Sequence, residues 1–249
     1  NEQYAKLILV KNTLGGDGAF DFDATGTGLP VDIDLTTVSG SASQTFENLD
    51  SDNTFSIAEN VPAGWQLDSA VCTGTNTPAS ITPNAGEIIT CTFTNSKLPT
   101  LTVTKILSPS NDPGLFNLEI DTTGYATDVG DGGTTGVQTL SIGGHTVNES
   151  AGTSTNLSDY SVEIGGDCTL NGTVDLAAGE NKACTITNTR KTGGLIMHKM
   201  VDDNGNGNFQ SADPGAFTWG LASDNTSNAM GSGLTLNTGS YDVYETIPI

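Results

Sequence analysis

Apolar and polar residues alternate along this chain in short runs, and the runs recur. LILVK (7–11), LTVTK (101–105) and LIMHK (195–199) each read as an apolar strand ending in lysine, and Lys11, Lys105 and Lys199 fall 94 residues apart. A fixed period of this kind marks a tandem of similar units. Each lysine run is followed by a second one, FDFD (20–23), LFNLEID (115–121) and FTWGL (217–221). A later run ends in glutamate: FSIAE (Glu59), HTVNE (Glu149) and YDVYE (Glu245). CTFTN (91–95) and CTITN (184–188) close the first two units. Period-two alternation bounded by Gly, Asn, Asp and Ser predicts short strands and turns rather than helices. The expected fold class is therefore all-β, as tandem β-sandwiches at 1–97, 98–191 and 192–249, with SKLPT (96–100) and TRKTGG (189–194) as linkers. The third unit stops before any strand that could match CTFTN, so it is expected to be incomplete at its C-terminal end. A fragment of a longer repeat protein explains this better than completion by a neighbouring subunit, because NEQYAK (1–6) offers no apolar strand ending in Asn.

Strand periodicity also assigns faces. Side chains two apart share a face, so Leu7, Leu9 and Lys11 point together, as do Phe55, Ile57 and Glu59, and Cys91, Phe93 and Asn95. The second unit repeats this with Leu101, Val103 and Lys105, with Val147 and Glu149, and with Cys184, Ile186 and Asn188. In each set the polar residue lies on the apolar face. A lone buried charge is costly, so a lysine, a glutamate and an asparagine directed into one small core are tolerable only if they meet. Desolvation favours the neutral form of an amine, and a neutral amine against a side-chain amide is a nucleophile facing an electrophile. Lys11 is then placed to attack the Asn95 carboxamide with loss of ammonia, Glu59 hydrogen-bonding the carboxamide oxygen and relaying protons. A buried hydrogen-bonded triad without a covalent bond fits the same pattern.

The chain holds 8 Lys+Arg against 29 Asp+Glu, a formal charge of −21. That balance excludes nucleic acid and anionic membrane surfaces as partners and suits calcium. No apolar stretch is long enough to span a membrane, and no signal segment opens the sequence, so a secreted protein would have lost its leader. The four cysteines pair by position, Cys72 with Cys91 and Cys168 with Cys184. Neither spacing suits metal or redox motifs, and disulfides are the better reading beside four buried thiols. Each would close a short loop, contribute roughly 3 kcal/mol in the chain-entropy model, and place the protein in an oxidising, extracellular setting.

The order of a lysine strand, an acidic strand end and a terminal strand with Asn resembles the collagen-adhesin B-type and SpaA-like domains of microbial surface proteins and pilins. AENVPAGW (58–65) is similar to that family's acidic strand end with its Pro-x-Gly-aromatic turn, and CTFTN to its closing strand. The resemblance implies a prealbumin-like (transthyretin-like, Ig-like) sandwich, with Lys11, Glu59 and Asn95 as one isopeptide crosslinking triad and Lys105, Glu149 and Asn188 as another. Lys199 and Glu245 form a third set without its Asn. The second unit departs at NESAGTS (148–154), which lacks the Pro-Gly-aromatic turn.

DDNGNGNFQSAD (202–213) sets Asp202, Asn204, Asn206, Gly207, Asn208 and Asp213 at positions 1, 3, 5, 6, 7 and 12 of a calcium loop. Position 12 is Asp rather than Glu, and the flank reads as strand, so no helix-loop-helix is expected. The stretch looks like the calcium loops of Sdr-type B repeats, the alternative being an Asn-Gly-rich turn. His145 and His198 read as ordinary strand histidines, and the sequons at Asn148, Asn156, Asn171 and Asn225 are patterns that arise by chance in such a chain. No nucleophile, metalloprotease or phosphate-loop motif is present, so no enzyme is expected. The reading that results is a secreted structural protein, a stalk, fibre or pilus-like subunit at a cell surface. Its partners would be other copies of itself or neighbouring surface-protein domains. The alternative is an adhesin binding a glycan or a host protein through sandwich loops.

Overall fold

The computed structural model describes residues 4–198, 200–201, 210–211, 218–221, 228–229, 233–238 and 241–246. The architecture is all-β. A single 3-10 turn, Leu157–Asp159, is the only helical element among the described residues. No helix there is long and apolar enough to cross a membrane.

The first unit contains β1 (Ala5–Leu14), β2 (Ala19–Thr25), β3 (Asp32–Thr36), β4 (Ser41–Leu49), β5 (Ser56–Asn60), β6 (Trp65–Cys72) and β7 (Ile88–Lys97). They form two sheets, ordered β4-β1-β7-β6 and β3-β2-β5. β1 and β7 run parallel, Lys11 opposite Phe93 and Thr13 opposite Asn95, while the other pairs are antiparallel. Parallel neighbours cannot be joined by a hairpin, so the first and last strands become adjacent only because the whole unit lies between them. The strict in-out alternation of β1 puts Ala5, Leu7, Leu9 and Lys11 inward. They pack on Phe20, Phe22, Phe55, Ile57, Ile89, Cys91 and Phe93 from both sheets.

The second unit repeats the plan with β8 (Thr100–Ser108), β9 (Phe116–Ile120), β10 (Thr123–Val129), β11 (Gln138–Thr139), β12 (Gly143–Ala151), β13 (Tyr160–Gly166), β14 (Thr173–Leu176) and β15 (Asn181–Arg190). Its sheets are β11-β8-β15-β13 and β10-β9-β12-β14, again with first and last strands, β8 and β15, parallel and adjacent. The third unit contributes β16 (Thr192–Ile196), β17 (Met200–Val201), β18 (Gln210–Ser211), β19 (Thr218–Leu221), β20 (Asn228–Ala229), β21 (Gly233–Asn237) and β22 (Val243–Thr246). Here β16 pairs with β21, β17 with β18, and β19 lies between β20 and β22. Buried Trp219 and Leu221 form its apolar centre with Leu195, Met197, Leu234 and Leu236.

Both expected disulfides are present, Cys72–Cys91 and Cys168–Cys184, and no cysteine is free.

The first two units meet backbone to backbone. The Gly179 amide of the second unit donates to the Lys97 carbonyl of the first at 2.8 Å, close to the buried Pro99. A Cβ on Gly179 would lie 1.9 Å from the Gly15 carbonyl oxygen, so no side chain fits there. Gly64, at a similar φ of +81°, has open space around it. Gly64→Ala is expected to lose about 1 kcal/mol from the left-handed backbone alone. Gly179→Ala should lose a further ~1–3 kcal/mol from overpacking at the junction, measured by urea unfolding. Equal losses for the two variants would contradict the junction contact.

Candidate functional site: two buried amine–amide–carboxylate triads

Strand pairing brings the expected residues together in the first two units. In the first, Lys11 on β1, Asn95 on β7 and Glu59 on β5 converge between the sheets, and the side chains of Lys11 and Glu59 are fully buried. The Lys11 Nζ donates to Asn95 Oδ1 and lies 3.3 Å from each Glu59 oxygen. Asn95 Nδ2 donates to Glu59 Oε1 at 2.5 Å. The carboxamide therefore turns its nitrogen, not its oxygen, toward Glu59. This differs from the expected hydrogen bond and follows from the amide's own valence: its oxygen is taken by the Lys11 amine, and its nitrogen is the donor left for Glu59.

The second unit holds the same set. Lys105 Nζ donates to Asn188 Oδ1 at 2.7 Å and to the Ile186 carbonyl at 2.9 Å. Asn188 Nδ2 donates to Glu149 Oε1 at 2.8 Å. Glu149 Oε2 is buried without a hydrogen-bond partner among the described residues and faces the Lys105 amine at 3.2 Å. Burial pulls the pKa of both lysines below the ordinary amine value, and the nearby carboxylates, Glu59 and Asp68 in one unit, Glu149 and Asp131 in the other, offset part of that shift.

Aromatic rings complete both sites. Lys11 Nζ lies 4.2 Å from the centroid of Phe20, and Phe20 meets Trp65 edge to face at 5.0 Å. Lys105 Nζ lies 4.5 Å from Phe116, which meets Tyr160 edge to face at 5.2 Å. Trp65 sits opposite Lys97 and Tyr160 opposite Arg190, so the two rings hold corresponding places on β6 and β13. The second unit thus has its aromatic after all, delivered by Tyr160 beyond a longer connection. Its hydroxyl donates to Asp112 at 2.6 Å, and Arg190 Nε donates to the same carboxylate at 2.8 Å. Burial resists ionisation of Asp112, but these bonds outweigh it and hold its carboxyl below the usual range.

Lys199 and the calcium-loop residues Asp202, Asn204, Asn206, Asn208 and Asp213 lie outside the described residues. Of that segment's surroundings, β17 and β18 pair antiparallel, Met200 opposite Ser211. Glu245 lies on β22 opposite Trp219.

His145 has both ring nitrogens against acceptors, Nδ1 at 2.5 Å from Asp121 and Nε2 at 2.8 Å from the Ser141 carbonyl. Burial alone would push its pKa down, yet these acceptors, with Asp175 nearby, raise it above the ordinary 6.5. A raised value means that His145 stabilises the fold fully below about pH 6.5 and loses this contribution as pH rises through the folded pKa. An NMR titration of the His145 ring should give a midpoint above 6.5, lowered by Asp121→Asn. A midpoint at or below 6.5 in the wild type would contradict the doubly bonded imidazolium.

No curated protein sequence matches the chain. Among solved structures, the TIE protein of Bacillus anthracis aligns at 19% identity over 99% of this chain and 46% of its own, with a TM-score of 0.44. The chain therefore spans about half the length of that protein. The major pilin T-13 of Streptococcus pyogenes aligns at 13% identity over 75% of this chain and 97% of its own, TM-score 0.30. An adhesin of Mobiluncus mulieris, described as containing intramolecular disulfide, isopeptide and ester crosslinks, aligns at 8% identity over 71% of this chain and 86% of its own, TM-score 0.30. Residues 7–97, the span from the Lys11 strand through the Asn95 strand, match the family model of the SpaA-type prealbumin-like fold domain, and the first sandwich has that fold.

Proposed function

We propose that this chain is an extracellular structural subunit, a stalk, fibre or pilus-like element of a microbial surface, whose sandwiches are fastened internally by Lys–Asn amide bonds. The observation that carries the reading is the convergence of amine, carboxamide and carboxylate in two separate buried cores. The lysine nitrogen attacks the asparagine Cγ, the C–Nδ2 bond breaks, and ammonia leaves as the secondary amide forms. Because the glutamate lies against both the amine and the leaving nitrogen, it takes the proton from the first and delivers it to the second. Nothing is oxidised, and each site turns over once, so the protein is not an enzyme in the ordinary sense.

Position in the fold explains the use of such a bond. End-to-end tension enters the first unit through β1 and leaves through β7, and these parallel neighbours shear along their shared ladder. A bond from Lys11 to Asn95 joins the entry strand to the exit strand directly. The exposed tyrosines Tyr4, Tyr125, Tyr241 and Tyr244 are spread over the three units and supply no common platform for a glycan, so the adhesin alternative gains no support from them. The oxygen-ligand spacing at 202–213 supports calcium as a further restraint in the third unit.

Each reacted site should lower the intact mass by about 17 Da, the mass of ammonia. Lys11→Ala should restore one such increment, Lys105→Ala another. Loss of the first link, which closes an 84-residue separation, should lower stability by about 4–5 kcal/mol in the chain-entropy model. Folded wild type at the unreacted mass would reduce the triads to hydrogen-bonded clusters. Calcium in hundredfold excess over its Kd should stabilise the third unit by about 2.7 kcal/mol. Melting with calcium and with chelator, on wild type and Asp202→Ala, reads this directly, and an unchanged wild-type transition would count against the loop.

A further inference from the structure

If the amide bonds form, which is the reading this inference rests on, the disulfides lie off the load path. Tension passes from β1 through Lys11 to Asn95, across the linker into β8, and through Lys105 to Asn188. Cys72 and Cys91 fall between Lys11 and Asn95, and Cys168 and Cys184 fall between Lys105 and Asn188. None of the four bears end-to-end force once the amides exist, so their use lies elsewhere.

The loops that they close point to that use. Between Cys72 and Cys91 the chain leaves the sheet of β6 and β7 and crosses to the opposite sheet. There Ile81 exchanges two backbone hydrogen bonds with Phe55, both 2.9 Å, and the Ile57 amide donates to Pro78 at 2.9 Å. Those contacts grip the strand that carries Glu59. Between Cys168 and Cys184 the second unit does the same with a regular strand: β14 pairs with β12, Val174 opposite His145 and Leu176 opposite Gly143. The Val147 amide also donates to Gly172 at 2.8 Å. β12 carries Glu149. In both units the far end of the loop is fastened to the strand that carries the asparagine, Cys91 on β7 and Cys184 on β15.

We infer that each disulfide-closed loop is a strap that holds the glutamate strand of one sheet against the asparagine strand of the other, positioning Glu59 on Asn95 and Glu149 on Asn188 for amide formation. The strap runs by chain continuity into the asparagine strand at its far end, the disulfide ties its near end, Cys72 or Cys168, to that same strand, and the backbone pairing anchors it on the glutamate side. The cysteines are positioning residues, acting through the strands and touching no reacting atom.

The test follows the rate of amide formation in the full chain. Protein is synthesised in an oxidising cell-free system as a short pulse, and the ammonia loss in each unit is followed by mass spectrometry of proteolytic fragments. The second unit serves as the internal clock for changes made in the first. In Cys72→Ala/Cys91→Ala the first-unit amide should form about tenfold more slowly or worse, because small misplacements of reacting groups cost this much or more. A second variant keeps both cysteines and doubles the loop with a Gly/Ser insertion at the exposed Gly74–Thr75 bond. Its disulfide still clamps β6 to β7, but the strap is slack, and loop-closure entropy predicts a slowing of about threefold. This variant decides the matter even where the alanine pair does not fold. Wild-type pace in the insertion variant overturns the inference while leaving the amide bonds standing. Absence of ammonia loss in the wild type overturns both the inference and the crosslink reading beneath it.

Discussion

An ammonium group buried in a small apolar core is the constraint from which the rest of this molecule follows. Lys11 and Lys105 are fully buried at positions where strand alternation allows no escape to solvent. A charge so placed must be met by a carboxylate, or given up, or consumed. All three outcomes leave marks here. Glutamate meets each amine, burial draws the lysine pKa down, and an asparagine carboxamide lies in reach of the nitrogen. An edge-to-face aromatic pair lies beside each site, one ring of it against the amine.

The topology is matched to that chemistry. Because the first and last strands of each sandwich are neighbours, here parallel ones, one pair of side chains suffices to join them. The same arrangement places the acid on the opposite sheet, so the site cannot assemble until both sheets have docked. This makes the triad a reporter of completed folding. It also separates two pairings that the sequence presents alike: the lysine and asparagine lie on the first and last strands, and each disulfide ties the last strand to an inner segment of the unit.

Much of this was legible from residue order. The 94-residue recurrence of lysines and the inward phase of Lys11, Glu59 and Asn95 followed from period-two counting, and so did their counterparts in the second unit. Pairing between β1 and β7 was not legible, because parallel neighbours leave no hairpin signal. Tyr160 escaped notice for a different reason: it comes eleven residues after Glu149, whereas Trp65 comes six after Glu59, so only the ladder, with Trp65 opposite Lys97 and Tyr160 opposite Arg190, reveals that the two correspond. The orientation of the Asn95 carboxamide was misjudged because spacing carries no information about which end of an amide faces an acid. The calcium-loop residues stand as read from sequence, since they lie outside the described residues.

Pulling single molecules by their two ends tests the central claim most directly. With both amides formed, residues between Lys11 and Asn95 and between Lys105 and Asn188 cannot lengthen, and the first two units should give no unfolding step at forces that open ordinary sandwiches. Without them, and with the disulfides intact, each unit would release the 84 or 83 residues between its paired side chains less the 19 or 16 that its disulfide closes off, 65 or 67 residues, steps of about 24 nm at ~3.6 Å per residue. Two such steps from natively folded protein would contradict the account.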